Sequence, residues 1–264
     1  MKPDYTRTEM AAALTAAGVR EGDSLFTLSN VGYFGMPEGG MTRANVFSSI
    51  LGALQDAVGP RGTLCVPTFT YSFCRKQDFD PANSPSDMGL FAEDLRRQPG
   101  AHRSDDPIFS VAALGPRAEE FTRDAPEACF GPGSFWERFL AADGLFCHLS
   151  FLMGPPLIHY VERSLDVPYR QDRAFTGNLV KDGKKIPRRT VYFSRAMDDP
   201  GALTDTDWFE ERVEALGLCR RVRVGRGFIL AMRARDVDRF VREEIKTHPR
   251  FLTLSFKDAL QRRA

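Results

Sequence analysis

The sequence predicts an α/β fold: a single domain with a mainly parallel central sheet flanked by helices and a C-terminal antiparallel subregion. Three observations predict it. Short apolar runs of strand length at 24–28, 63–67 and 145–149 alternate with segments whose apolar residues recur at helical spacing. The first two strands are joined by one helix, which implies a right-handed crossover between parallel neighbours. In the last hundred residues hairpin signals replace that alternation. The 264 residues, 42% hydrophobic and 27% charged, suit one globular unit over 1–264, with the subregion covering about 171–264.

Residues 8–17 read as the opening helix, with Thr8 as N-cap and Gly18 as its stop. Gly22-Asp23 leads into the strand 24–28, and a glycine-rich loop follows over 32–40. Thr42 caps a helix carrying Val46, Ile50, Leu51 and Leu54 on one face, and a Gly-Pro-Arg-Gly turn at 59–62 feeds the strand 63–67. The segment 68–85 is aromatic, polar and broken by prolines, which is loop chemistry beyond a strand end, where α/β proteins place ligands. A helix over 88–97, a strand over 108–114 and short helices over 117–122 and 134–140 come next. The strand 145–149 and a helix over 157–165 complete the alternating part. Strands around 178–180 and 190–194 flank a turn at 181–185, and a second hairpin pairs 222–224 with 228–232. Helices over 205–216 and 236–246 and an amphipathic tail after Pro249 close the chain.

Composition excludes several classes. Thirty-six basic and 35 acidic residues leave a formal charge of +1, so no general field draws the protein to nucleic acid or a membrane. The five cysteines are scattered, odd in number and free of CxxC spacing, which argues against a metal site and a disulfide framework and for a cytoplasmic protein with reduced thiols. The N-terminus lacks the apolar core of a signal peptide, and no apolar run approaches the ~20 residues needed to span a bilayer. Homo-oligomerisation stays open.

Four segments carry candidate chemistry. His159-Tyr160-Val161-Glu162 places an imidazole and a carboxylate on one helix face, the usual construction of a general base; the bland alternative is a surface pair. In Arg103-Ser104-Asp105-Asp106-Pro107-Ile108-Phe109-Ser110, hydroxyls and an arginine lead into a strand. Arg103 suits a phosphate and Asp106 an amine or a histidine, against the bland reading of an Asp-Pro turn. Phe130-Gly131-Pro132-Gly133-Ser134 precedes a helix, so its amides can meet an anion or carbonyl oxygen, or it is a tight turn with Ser134 as N-cap. Leu28-Ser29-Asn30-Val31, ending the first strand, has the same two readings. Walker, GxGxxG, GxSxG and HExxH patterns are absent, His102, His148 and His248 are dispersed, and Arg220-Arg221-Val222-Arg223 alternates like a solvated strand face.

Taken in order, these segments resemble the aminoglycoside 3-N-acetyltransferase family. Residues 57–68 match its AVGPxGTLxxPT run, Leu28-Ser29-Asn30-Val31 stands at its His-Ser-Ser-Leu strand end, and 103–107 corresponds to its RSxHP segment. Phe130 to Ser134 corresponds to its GxGS turn and His159 to Glu162 to its HxAE helix. The resemblance implies acetyl-CoA or another acyl-CoA as co-substrate, no metal, and direct transfer to the amine of a small molecule. It assigns His159 as general base and Glu162 as its orienter. It makes Ser29, Asn30, Val31, Arg103, Ser104, Ser110, Gly131, Gly133 and Ser134 candidates for coenzyme A contacts or the oxyanion, and Thr70, Tyr71 and Asp106 candidates for the acceptor.

The departures are Asp106 for the histidine of the His-Pro pair, Leu28 for that of His-Ser-Ser, Leu149-Ser150-Phe151 for a Gly-Val-Gly strand end, and Pro155-Pro156-Leu157 for Asn-Thr-Ser. With segments such as 68–73, 83–85, 106–110 and 167–170, they resemble a branch from surface-polysaccharide genes, whose expected acceptor is an amino sugar, often nucleotide-linked. Two readings compete with it. One is true aminoglycoside acetylation, which confers antibiotic resistance and for which Asp78, Asp80, Asp105 and Asp106 are available to line an acidic cleft. The other is a non-catalytic binding protein that kept the fold, with the altered segment 149–157 as its support.

Overall fold

The computed structural model describes residues 2–261. Helix α1 (Arg7–Ala16) is capped by Thr6, two residues before the expected cap, because Thr6 and Glu9 form a reciprocal capping box: Glu9 N donates to Thr6 Oγ1 at 3.1 Å and Thr6 N to Glu9 Oε2 at 2.8 Å. Strand β1 (Ser24–Phe26) leads to α2 (Arg43–Val58), which Thr42 caps as expected by accepting from Asn45 N. Strand β2 (Thr63–Pro67) follows, then α3 (Leu90–Leu95), β3 (His102–Arg103), β4 (Val111–Leu114) and α4 (Ala118–Thr122). Next come α5 (Phe135–Ala141), β5 (Leu145–Leu149) and α6 (Leu157–Ser164). The remaining elements are β6 (Arg170–Lys181), β7 (Lys184–Arg195), α7 (Asp207–Ala215), β8 (Arg220–Val224), β9 (Gly227–Arg233), α8 (Ala234–Thr247) and α9 (Leu254–Gln261).

The central sheet has seven strands in the order β3-β4-β2-β1-β5-β9-β8. Strand β1 pairs in parallel with both β2 and β5, while β4 and β9 run antiparallel to their neighbours on either side. Five strands therefore point the same way, as the alternating order predicts, with parallel pairing confined to the middle three. The antiparallel hairpin β8–β9 extends this sheet from β5. Only β6–β7 forms a sheet of its own, a twelve-residue ribbon turned by Asp182 and Gly183, both at positive φ (49° and 74°). That is the geometry an Asp-Gly hairpin turn requires.

Two hydrophobic layers cover the sheet, and the period of two in each strand assigns its residues to one or the other. Leu25, Leu64, Val66, Leu145, Cys147 and Leu149 face α1, α2 and α3. Phe26, Cys65, Phe146, Leu230 and Met232 face α4 to α8. Phe26 is the hub of the second layer, with the rings of Phe135, Trp136, Phe139 and Phe146 all 5.4–6.1 Å away. The expected strand at 108–114 is shorter, since Asp106 Oδ1 accepts from Ile108 N and Phe109 N and holds 107–109 in a turn before β4 begins. All five cysteines are free thiols, and no helix among the described residues is long and apolar enough to cross a membrane.

His148 on β5 is fully buried, neither ring nitrogen has a partner among the described residues, and burial pushes its pKa down to about 4. The unfolded chain, with an ordinary imidazole near 6.5, takes up a proton that the folded protein refuses. Stability therefore falls as pH drops from about 6.5 to about 4. This one group accounts for a loss on the order of 2–3 kcal/mol. Urea unfolding at pH 7 and pH 4.5 is expected to show that loss in the wild type and a correspondingly smaller one in His148→Leu. Equal losses would mean that His148 is accommodated as a cation.

Candidate active site

The site is built at the carboxyl ends of the parallel strands, where β1 and β5 deliver their chains to the same edge. Beyond β1, Ser29 bridges Leu149 and Asn30 N donates to Leu149 O at 2.8 Å. Beyond β5, Ser150 turns the chain at φ 52°, a strained conformation for a non-glycine residue, held by Ser150 N donating to Phe228 O and Phe228 N to Ser150 Oγ. Pro155 and Pro156 then set the backbone for α6, since a fixed φ near that of a helix suits its first positions. The helix buries Leu157, Ile158 and Val161, and it carries Glu162 inward with them.

Glu162 is fully buried. His159, one turn earlier and partly exposed, brings Nδ1 to 2.6 Å from Glu162 Oε2. The Tyr169 hydroxyl donates to Glu162 Oε1 at 2.9 Å. Arg170 Nε lies 2.7 Å from Oε2, but its N–H does not aim at that oxygen, so charge rather than alignment carries the contact. Burial alone would push the Glu162 carboxyl up. Arg170, His159 and Tyr169 outweigh it and hold the group below the usual range, hence ionised. The His159 pKa is lowered, first by burial and then by Arg170, against the upward pull of Glu162. The result is a neutral imidazole whose Nδ1 is engaged by a carboxylate, which directs Nε2 to any further chemistry.

An aromatic wall adjoins the imidazole. Phe130 meets the His159 ring edge-on at 5.4 Å and stacks on Trp136. Phe109 contacts Phe130, Tyr192, Tyr71 and Phe69 within 5.4 Å. Tyr71, partly buried at φ 51°, thereby joins the same surface as the imidazole. Ser29, Asn30 and Val31 stay accessible at the strand ends.

The other expected residues serve the fold. Arg103 donates through Nε to Thr68 Oγ1 and Ser110 Oγ, through Nη1 to Pro81 O and Ser84 O, and through Nη2 to Thr68 O, and it lies over the Phe79 ring. This guanidinium clamps loops 68–85 and is not free for phosphate. Ser104 Oγ accepts from Val111 N, and fully buried Ser110 donates to Thr68 O, so both hydroxyls are engaged within the fold. Gly131 N donates to Ala128 O, and Gly133 N is taken by the Glu137 carboxylate at 2.7 Å, so the anion this turn receives is resident. Ser134 takes the N-cap position of α5 without a capping hydrogen bond, its buried hydroxyl lacking a protein partner among the described residues. Thr70 is buried and donates to Pro107 O, and Asp106 is buried in its turn beside Cys129. Of the proposed acidic cleft, Asp78 and Asp105 are paired with Lys185 and Lys181, and Asp80 is bound by its own turn. Among the described residues no cluster of metal-ligating side chains occurs.

Sequence reasoning missed Tyr169 and Arg170 as partners of Glu162. Their signal is faint, a polar pair just past a helix end. Arg103→Met is expected to lower stability by on the order of 2–4 kcal/mol, since it strands several buried acceptors. Its KM for acetyl-CoA should stay near the wild-type value, measured alongside the urea midpoint. A selective rise in that KM with stability intact would restore the phosphate-binding role.

Comparison with known proteins fits this geometry. Residues 29–246 match the sequence profile of the family described as aminoglycoside 3-N-acetyltransferase. The chain is 33% identical to aminoglycoside N(3)-acetyltransferase VII of Streptomyces paromomycinus, over 88% of each chain. It is 30% identical to aminoglycoside N(3)-acetyltransferase IV of a Salmonella species, over 90% of this chain and 86% of the other. Among solved structures, AAC-IIIb in its binary complex with CoASH superposes with a TM-score of 0.79 at 27% identity, covering 92% of this chain and 96% of that one. A mutant of AAC(3)-IVa in complex with a gentamicin gives a TM-score of 0.75 at 26% identity, covering 94% and 91%. The chain belongs to the aminoglycoside 3-N-acetyltransferase family and is an acyl-CoA-dependent N-acyltransferase, with acetyl-CoA or another acyl-CoA as co-substrate.

Proposed function

We propose that this protein acetylates an amino group of an aminoglycoside, with His159 as general base and Glu162 as the group that orients it. The observation that carries the mechanism is the 2.6 Å contact between a buried, ionised carboxylate and a neutral imidazole at the carboxyl edge of the sheet. The acceptor class rests on relatives named for aminoglycoside acetylation that match most of the chain. The acceptor expected from the sequence, a nucleotide-linked amino sugar of surface polysaccharide, has no support among these relatives and yields to the alternative.

The chemistry follows from the dyad. An unprotonated amine attacks the thioester carbonyl carbon, forming the C–N bond, and its extra proton passes to His159 Nε2 as the tetrahedral intermediate develops. The imidazolium so formed is compensated by Glu162 through Nδ1. Collapse breaks the C–S bond, and the proton on His159 is available to the departing thiolate. Ser29, Asn30 and Val31 are the accessible backbone and side-chain groups at the strand ends for contacts to the co-substrate, and Tyr71 offers an aromatic face on the acceptor side.

Thiol release from acetyl-CoA, measured against a panel of aminoglycosides and of nucleotide-linked amino sugars, tests the acceptor. Turnover with aminoglycosides is expected, and turnover with the nucleotide sugars alone would sink the reading. His159→Ala should lose on the order of 10²-fold or more in kcat, and Glu162→Gln less. Because the base must be unprotonated, kcat/KM should rise with pH along an acid limb attributable to His159. That limb should lie below the ordinary imidazole value, once the acceptor's own titration is allowed for. Wild-type rates in both variants would remove His159 as the base, and coenzyme A binding without turnover of any acceptor in the wild type would support a fold retained for binding alone.

A further inference from the structure

Arg170 has no assigned part in the reaction, yet it is a cation in direct contact with the dyad. Its side chain is 2% exposed, and among the described residues its ion pair is with Glu162. Nη2 donates to Thr204 Oγ1 at 2.6 Å and Nη1 to Phe193 O at 3.3 Å, which pins the guanidinium from two directions. Its Nε and the Nδ1 of His159 approach the same oxygen, Oε2, at 2.7 and 2.6 Å. One carboxylate charge is thus shared between a permanent cation and a group that becomes cationic only during the reaction. We propose that Arg170 is a positioning residue that shares Glu162 with His159 and so sets how readily the imidazole holds a proton. The inference rests on the reading of His159 as base only for its catalytic consequence.

The surroundings leave Arg170 as the dominant outside charge. On the other faces of α6, α8 presents Asp238 paired with Arg242, which also reaches Ser164, and α5 presents Glu137 against the Tyr160 hydroxyl. Asp172 of β6 is paired with Arg163, and Arg250 lies over the Tyr169 ring at 5.6 Å. Tyr192 of β7 faces the aromatic wall. None of these other charges adjoins Oε2. A protonated His159 beside Arg170 would place two cations on one buried carboxylate, which low-dielectric surroundings penalise. The neutral imidazole avoids this, in keeping with the lowered pKa of His159.

The test is an NMR titration of the His159 ring in ligand-free protein, alongside the pH dependence of kcat/KM. In Arg170→Met the titration midpoint should move upward. Relative to its own alkaline plateau, the variant's rate at pH 6 should fall on the order of threefold or more beyond the wild type's fall. Arg170→Lys, which keeps the charge, should return both readouts toward wild type. A midpoint in Arg170→Met that is unchanged or lower overturns the proposal, whatever happens to total activity, because a merely structural arginine would scale the profile without moving it. If Arg170→Met does not fold, Arg170→Gln takes its place, with the same upward midpoint expected and an unchanged or lower midpoint overturning the proposal. The titration reads His159 directly, so it stands even if His159→Ala shows that another group is the base.

Discussion

The site depends on one buried anion. Glu162 has no exposed surface, and a carboxylate in that position persists only when its charge and lone pairs are met. Three groups meet them: His159 from its own helix, Tyr169 from the segment that follows, and Arg170 at the start of β6. Two of these lie beyond the helix end, so the carboxylate fixes where the chain must go after α6. The long ribbon β6–β7 is thereby anchored at its base beside the imidazole. Farther along, Lys181–Asp105 and Lys185–Asp78 ion pairs and a small cluster of Phe73, Phe79 and Leu179 hold it to the loop beyond β2.

The polar groups near the strand ends divide into two sets by what compensates them. One set is spoken for by the fold. Arg103 is saturated by carbonyl and hydroxyl oxygens, the Gly133 amide by Glu137, and Asp106 by the amides of its own turn. The other set is organised yet accessible, and it is small: His159 with its carboxylate behind it, the end of β1 at Ser29 to Val31, and the aromatic face that includes Tyr71. Charge follows the same logic. The carboxylates offered by loops 78–80 and 105–106 are engaged internally, Asp78 and Asp105 by lysines, Asp80 and Asp106 by hydrogen bonds of their own turns.

Much of this was legible in advance. The alternation of apolar runs with helical periodicity announced the α/β sheet and its parallel centre, because burial on both faces demands continuous apolar strands. The i, i+3 spacing of His159 and Glu162 announced a dyad, because helix geometry fixes that contact locally. The Asp-Gly turn announced the ribbon, though only about its last turns, since β6 is largely exposed near its start and carries no alternating apolar signal. For Arg103, Thr70 and Asp106, residue type reveals hydrogen-bonding capacity but not which partners lie within reach.

The sequence by itself determined whatever depends on neighbours a few residues apart: the central strands and helices, the cap at Thr42 and the turn at Asp182-Gly183, and the pairing of His159 with Glu162. Tertiary structure alone decided what depends on distant segments meeting. It joined the second hairpin to the edge of the central sheet, turned Arg103 inward as a clamp and brought Arg170 to the carboxylate that engages His159. The reason is that burial and charge compensation are properties of a place, and no place exists until the chain has closed around it.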